Sequence, residues 1–219
     1  MLSIVVLISG RGSNLQALIN ALGSAGNIQF SAVIASRDDA AGLQYAQQAE
    51  IPTATVSRRE FADTDSFSTA LKQEIEQSQP ALVVLAGFMH ILSDEFVQHF
   101  ADRLINIHPS LLPKFRGLNT HRRAIAEGVT EHGASVHYVN EELDGGPIIA
   151  QTIIDVRATD SIDELAARVL AQEHLLYPTV IQWIADGSLQ CIDSKITFRG
   201  EPLLKPILFE SRPETTECV

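Results

Sequence analysis

A chain of 219 residues with 45% hydrophobic content is long enough to bury one sizeable core. Its 27 acidic against 16 basic residues, a formal charge of −11, exclude a general nucleic-acid or membrane-surface binder, which needs clustered Lys and Arg. Two cysteines, Cys191 and Cys218, in no CxxC spacing give neither a disulfide framework nor a thiolate metal site, so a reducing cytoplasm is the expected compartment.

The first residues, Met1-Leu2-Ser3-Ile4-Val5-Val6-Leu7-Ile8, lack a charged leader region and run into glycines, which predicts a buried strand and no secretion signal. Further strand-like runs fall at residues 31–35, 53–56, 81–86 and 104–108. Helical spacing lies between them: Leu15, Leu18, Ile19 and Leu22 share one face, as do Phe67, Leu71 and Ile75. Such alternation predicts a parallel sheet, and the unbroken apolar run Leu82-Val83-Val84-Leu85 suits strands covered on both faces. Beyond His108 the pattern changes to predicted strands at 135–139 and 148–156. Ser161 and Glu164 are spaced as a capping box, opening a predicted helix to about residue 185 that Gly187 ends. Residues 189–192 and 195–198, joined through Asp193-Ser194, predict a small hairpin, and 211–219 a loose tail. No apolar run approaches the ~20 residues that cross a bilayer. The expected architecture is α/β: an open, mostly parallel, twisted sheet with helices on both faces and a small C-terminal hairpin. Residues 1–190 form the predicted catalytic part, and 191–219 the hairpin and tail of the same domain.

Loops after the first, fourth and fifth strands lie at the carboxyl ends, where open α/β sheets bind ligands. The first, Ser9-Gly10-Arg11-Gly12-Ser13-Asn14, lets backbone approach an anion at a helix start, with the Ser13 hydroxyl as a further donor; a plain βα turn with Ser13 as N-cap is the alternative. Leu15 stands where a dinucleotide fingerprint wants a third glycine. The second loop carries Met89, His90, Ile91 and Leu92, an apolar wall suited to a flat heterocycle or else ordinary packing.

The third loop holds the chemistry. Alternation in Ile105-Asn106-Ile107-His108 puts Asn106 and His108 on one face of a strand that Pro109 must end. Asp144, in Leu143-Asp144-Gly145-Gly146-Pro147, adds a carboxylate. An amide, an imidazole and a carboxylate can stabilise an oxyanion and move a proton, which points to acyl transfer; a structural hydrogen-bond network is the alternative. The segment Gly117 to Arg123 offers polar contacts to a phosphorylated substrate, while His99, His132 and His137 read as ordinary surface or strand residues. No HxxxH or HExxH spacing occurs among the seven histidines, so no metal is expected.

The segment Asn106-Ile-His-Pro-Ser-Leu-Leu-Pro113, with Gly117, His121, Gly133-Ala-Ser-Val-His137 and Asp144-Gly-Gly-Pro147, resembles the signature of folate-dependent formyltransferases. Val6-Leu-Ile-Ser-Gly-Arg-Gly-Ser-Asn-Leu-Gln16 and Val84-Leu-Ala-Gly-Phe-Met89 are similar to the branch that formylates glycinamide ribonucleotide, and the likeness spans roughly residues 1 to 187. It implies a Rossmann-like formyltransferase fold and 10-formyltetrahydrofolate as co-substrate. The implied reaction is direct formyl transfer to the ribonucleotide's amine in purine synthesis.

By that resemblance Asn106 and His108 are catalytic, and Asp144 keeps His108 protonated. Gly12, Ser13 and Asn14, with Leu170, Ala171, Gln172 and Glu173, would hold the ribonucleotide. Met89, His90, Ile91, Leu92, Asn106, Asn140, Glu141, Glu142, Leu143 and Asp144 would line the folate site. Thr64 and His90 stand where related sequences carry arginines, and Asn119 where a histidine is frequent; Thr64 keeps a folate-site position without its charge. Small-molecule partners and a monomer or homodimer are expected. The alternatives within the class are a tRNA formyltransferase, expected to be longer and more basic, and a formyltetrahydrofolate hydrolase, expected to carry an added amino-terminal domain. Outside it stand a non-catalytic folate- or phosphate-binding module and a dehydrogenase.

Overall fold

The structure, a computed structural model, describes residues 1–210. Its first half alternates strand and helix: β1 (Leu2–Ile8), α1 (Ser13–Leu22), β2 (Ile28–Ala35), α2 (Leu43–Gln48), β3 (Thr53–Thr55), α3 (Thr64–Glu76), β4 (Leu82–Leu85), α4 (Asp94–His99) and β5 (Leu104–His108). There follow α5 (Thr120–Ala126), β6 (Glu131–Tyr138), β7 (Ile148–Asp155), α6 (Ile162–Ala185), β8 (Leu189–Ile192), β9 (Lys195–Phe198), β10 (Glu201–Pro202) and β11 (Ile207–Leu208).

The main sheet runs β11-β7-β6-β5-β4-β1-β2-β3. Strands β3, β2, β1, β4 and β5 are parallel, and β6 and β7 add an antiparallel arm. The chain winds outward from β1 to β3, then returns across β1 to β4. That reversal opens a crevice at the carboxyl ends of β1 and β4.

An unbroken apolar strand needs cover on both faces, and β1 shows how it is provided. Val6 and Ile8 pack with Leu15, Leu18, Val180 and Ile181, while Val5 and Leu7 pack with Phe67, Leu71, Ile75 and Phe96 on the other side. Helix α6 carries the capping box foreseen from Ser161 and Glu164. Its Tyr177 hydroxyl, fully buried, lies 3.0 Å from Leu85 O and 3.2 Å from Ile105 O, tying the end of β4 to the first half of β5.

Three features differ from the sequence expectation. The terminal hairpin turns at Asp193 and Ser194, both in the left-handed region, but β10 extends it to a three-stranded sheet, and the boundary drawn at residue 190 falls inside β8. Strand β11 returns to pair in parallel with β7 at the main sheet's edge. The short helices α2 and α4 have too few turns to leave a periodic pattern, although Ser93 caps α4 and Asp94 and Glu95 open it. The tail expected at 211–219 lies outside the described residues. Among the described residues no helix is long and apolar enough to cross a membrane.

Candidate active site

Asn106 and His108 project from the carboxyl-terminal part of β5, on one face as the alternation requires, and two loops close around them. His108 is buried. Its Nε2 lies 3.0 Å from the Phe115 carbonyl and its Nδ1 3.5 Å from Asp144 Oδ2. A carbonyl and a carboxylate only accept hydrogen bonds, so both ring nitrogens face acceptors.

Asp144 reaches this position through a left-handed backbone (φ 47°) in the turn after β6, and its Oδ2 also accepts from the Gly117 N–H at 2.8 Å. Gly146 is dictated by close approach: a Cβ there would sit 1.9 Å from Tyr138 O. Around it, Asn140 Oδ1 accepts from Glu142 N, Glu141 accepts from Gln98, and Glu142 pairs with Arg116. Leu143 stays exposed.

The amide of Asn106 is oriented by His137, a residue whose ordinary strand pattern gave no hint of the role. His137 Nδ1 donates to Tyr138 O at 2.8 Å, and burial pushes this imidazole below the ordinary histidine range. A neutral ring with its proton on Nδ1 presents a lone pair on Nε2, which accepts from Asn106 Nδ2 at 3.2 Å. One amide hydrogen is thereby fixed, leaving the second for a ligand. His137 Nε2 is 3.8 Å from Asp144 Oδ1, but a neutral ring makes this no ion pair, and the carboxylate serves His108.

His132, expected to be unremarkable, is also buried. Its Nε2 lies 3.2 Å from His121 Nδ1, its ring meets the edge of Phe115, and burial pushes its pKa down to about 4. With His121 against His132 of β6 and Arg123 donating to Arg116 O, the segment Gly117 to Arg123 spends these two side chains on internal bonds.

At the first loop Gly12, not Ser13, is the N-cap of α1. Its φ of 75° is left-handed, and a Cβ would meet Gly42 Cα at 2.5 Å. Ser13 is the first helical residue, and no side chain among the described residues caps the helix, so its leading N–H groups are open to an anion. Asn14 Nδ2 donates to Glu173 Oε2 at 2.7 Å, joining α1 to α6, while Asn14 Oδ1 is buried without a partner among the described residues. Burial pushes the Glu173 carboxyl up to about 7 against the opposing Asn14 bond. Of the neighbours proposed with it, Gln172 accepts from Thr152, Leu170 is half-buried and Ala171 is exposed.

The second loop is tied to the first by Ser9, whose hydroxyl accepts from Met89 N at 2.9 Å and meets Ser36 Oγ at 2.7 Å. His90 stacks edge-on against Phe67 and Phe88, and burial lowers its pKa, so this position supplies packing and no full charge. Leu92 is partly buried beside the same aromatic cluster. Met89 (69%), Ile91 (72%), Leu118 (73%) and Leu143 (60%) leave an exposed apolar rim on the loops beside Asn106 and His108. Thr64 opens α3 behind its cap Asp63 and takes no part in the bonds around His108.

Known proteins resemble this chain over most of its length. The formyl transferase family model matches residues 2–181. Phosphoribosylglycinamide formyltransferase of Escherichia coli is 50% identical over 205 residues, covering 92% of this chain and 96% of that protein. The human trifunctional purine biosynthetic protein adenosine-3 is 41% identical over 85% of this chain and 19% of its own length. The solved phosphoribosylglycinamide formyltransferase of Coxiella burnetii superimposes with a TM-score of 0.90 at 48% identity, covering 95% of this chain and 99% of that one. The chain belongs to the formyl transferase family.

Proposed function

We propose that this chain transfers the formyl group of 10-formyltetrahydrofolate to the glycinamide amine of glycinamide ribonucleotide. The carrying observation is the pairing at the end of β5: an imidazole whose two nitrogens both face acceptors, beside an amide with one N–H unspent. The names and coverage of the relatives support the same reading.

In this mechanism the neutral amine attacks the formyl carbon, and the new C–N bond leaves a tetrahedral oxyanion. The free N–H of Asn106 donates to that oxyanion, a contribution of roughly 10²–10³ in rate, and the nearby positive charge of the His108 imidazolium offsets the negative charge through space. Asp144 holds the imidazolium in place. A proton then passes from the attacking nitrogen to the folate nitrogen as the second C–N bond breaks, giving the N-formyl ribonucleotide and tetrahydrofolate. The open N–H groups of Ser13 and Asn14 bind the ribonucleotide's phosphate, Glu173 contacts the same substrate, and the loops Met89 to Leu92 and Asn140 to Asp144 receive the folate, with Met89, Ile91 and Leu143 as apolar surface for its ring.

The purified protein, mixed with both substrates and followed by absorbance, should release tetrahydrofolate only when the ribonucleotide is present. Release without the amine would instead mark a hydrolase.

A further inference from the structure

We infer that Gln151 is a positioning residue for His108, acting through the turn that follows β5. The inference rests on the catalytic role proposed above for His108. His108, Ser135 and Gln151 are successive register partners across β5, β6 and β7, a polar row of three side chains. The chain from Pro109 to Lys114 folds back over that row, and its hydrogen bonds to the row saturate the donors involved.

Ser135 is fully buried, and its hydroxyl has one proton and two lone pairs to place. The proton goes to Ser110 O at 2.6 Å, and the lone pairs accept from Leu112 N at 3.1 Å and Gln151 Nε2 at 2.8 Å. Gln151 Nε2 has two hydrogens, and the second goes to Leu112 O at 2.9 Å. Ser110 Oγ then donates to Lys114 O at 2.7 Å. The next residue is Phe115, whose backbone is left-handed (φ 56°) and whose carbonyl accepts from His108 Nε2.

Gln151 is anchored on both sides, because β7 pairs with β6 on one edge and the Gln151 carbonyl accepts from Phe209 N on the other. It is therefore the fixed end of the row. By holding Leu112 O and orienting the Ser135 hydroxyl, it sets where the Phe115 carbonyl stands. That carbonyl commits the proton on His108 Nε2 and leaves Nδ1 to Asp144. Misplacing a group in such a site by about 1 Å can cost up to about 100-fold in rate.

The test uses the full chain with Gln151→Glu, which turns two donors into acceptors without changing shape, and Gln151→Met, which removes them without adding charge. Three quantities are measured: kcat and KM for each substrate, thermal midpoint, and the ¹H–¹⁵N signal of the His108 Nε2–H, assigned by its loss in His108→Ala. KM should stay within about twofold while kcat falls about 10- to 100-fold. The Nε2–H signal, slow to exchange in the unaltered protein, should vanish into exchange with water. An unchanged kcat in folded Gln151→Met, or a lowered kcat with the His108 signal intact, overturns the inference. Gln151→Asn keeps both donors on a shorter arm and covers failure of the first two to fold; a lowered kcat with an intact signal there overturns it equally. Loss of the signal in a protein that transfers no formyl group would fault the proposed reaction and leave the positioning role standing.

Discussion

At the scale of single residues, orientation decides the chemistry more than identity does. Asn106 donates one N–H to His137 and keeps one free, so Asn106→Ala should lower kcat by about 10²–10³ with the protein still folded. Unchanged turnover in a steady-state assay would remove Asn106 from the reaction. The motif and the alternation in β5 made Asn106, His108 and Asp144 legible in the sequence. His137 was not legible, because its partner is brought alongside only by the β5–β6 pairing, and its spacing from Ser135 is that of any strand.

A second residue-scale prediction concerns His132, whose folded pKa of about 4 lies below the ordinary 6.5. Below pH 6.5 the unfolded chain takes up a proton that the folded chain refuses until about pH 4. Stability is therefore complete above pH 6.5 and declines as pH falls towards 4, by an amount on the order of 3 kcal/mol. Urea unfolding at several pH values should show this loss reduced in His132→Gln. Equal acid sensitivity in the two proteins would mean that His132 is not the group responsible.

Among the elements, α6 does most to place the site. Its Tyr177 hydroxyl bridges Leu85 O, at the end of the strand that presents the Met89 loop, and Ile105 O, the residue before Asn106 in β5. Tyr177→Phe keeps the ring's packing and should destabilise the fold by about 1–2 kcal/mol, the usual worth of a buried hydrogen bond with its partners left dry. Denaturant midpoints would show no change if the hydroxyl were idle. Long elements with strong periodicity, such as α3 and α6, were readable from spacing and caps. The six-residue helices α2 and α4 and the two-residue β11 were not, since the tertiary contacts that stabilise them leave no periodic trace.

For the whole molecule, winding explains why loops distant in sequence share one site. The parallel strands bring the turns after β1, β4 and β5 to one edge, and the antiparallel arm folds Asp144 back over His108. The βα alternation announced the first half of this plan. The second half depended on the antiparallel pairings of β6 and β7 and on the close backbone approach at Gly146, which spacing alone does not reveal. On the proposed reading, a chain with a net charge of −11 attracts its anionic substrate locally, through the open N–H groups at the start of α1.

The most direct test of this account is single-turnover formyl transfer by His108→Ala, with binding of both substrates measured separately by calorimetry. The account predicts that the folded variant binds the formyl folate and the ribonucleotide within a few-fold of the unaltered protein and transfers the formyl group at least about 100-fold more slowly. Transfer at an undiminished rate from the bound state would contradict it.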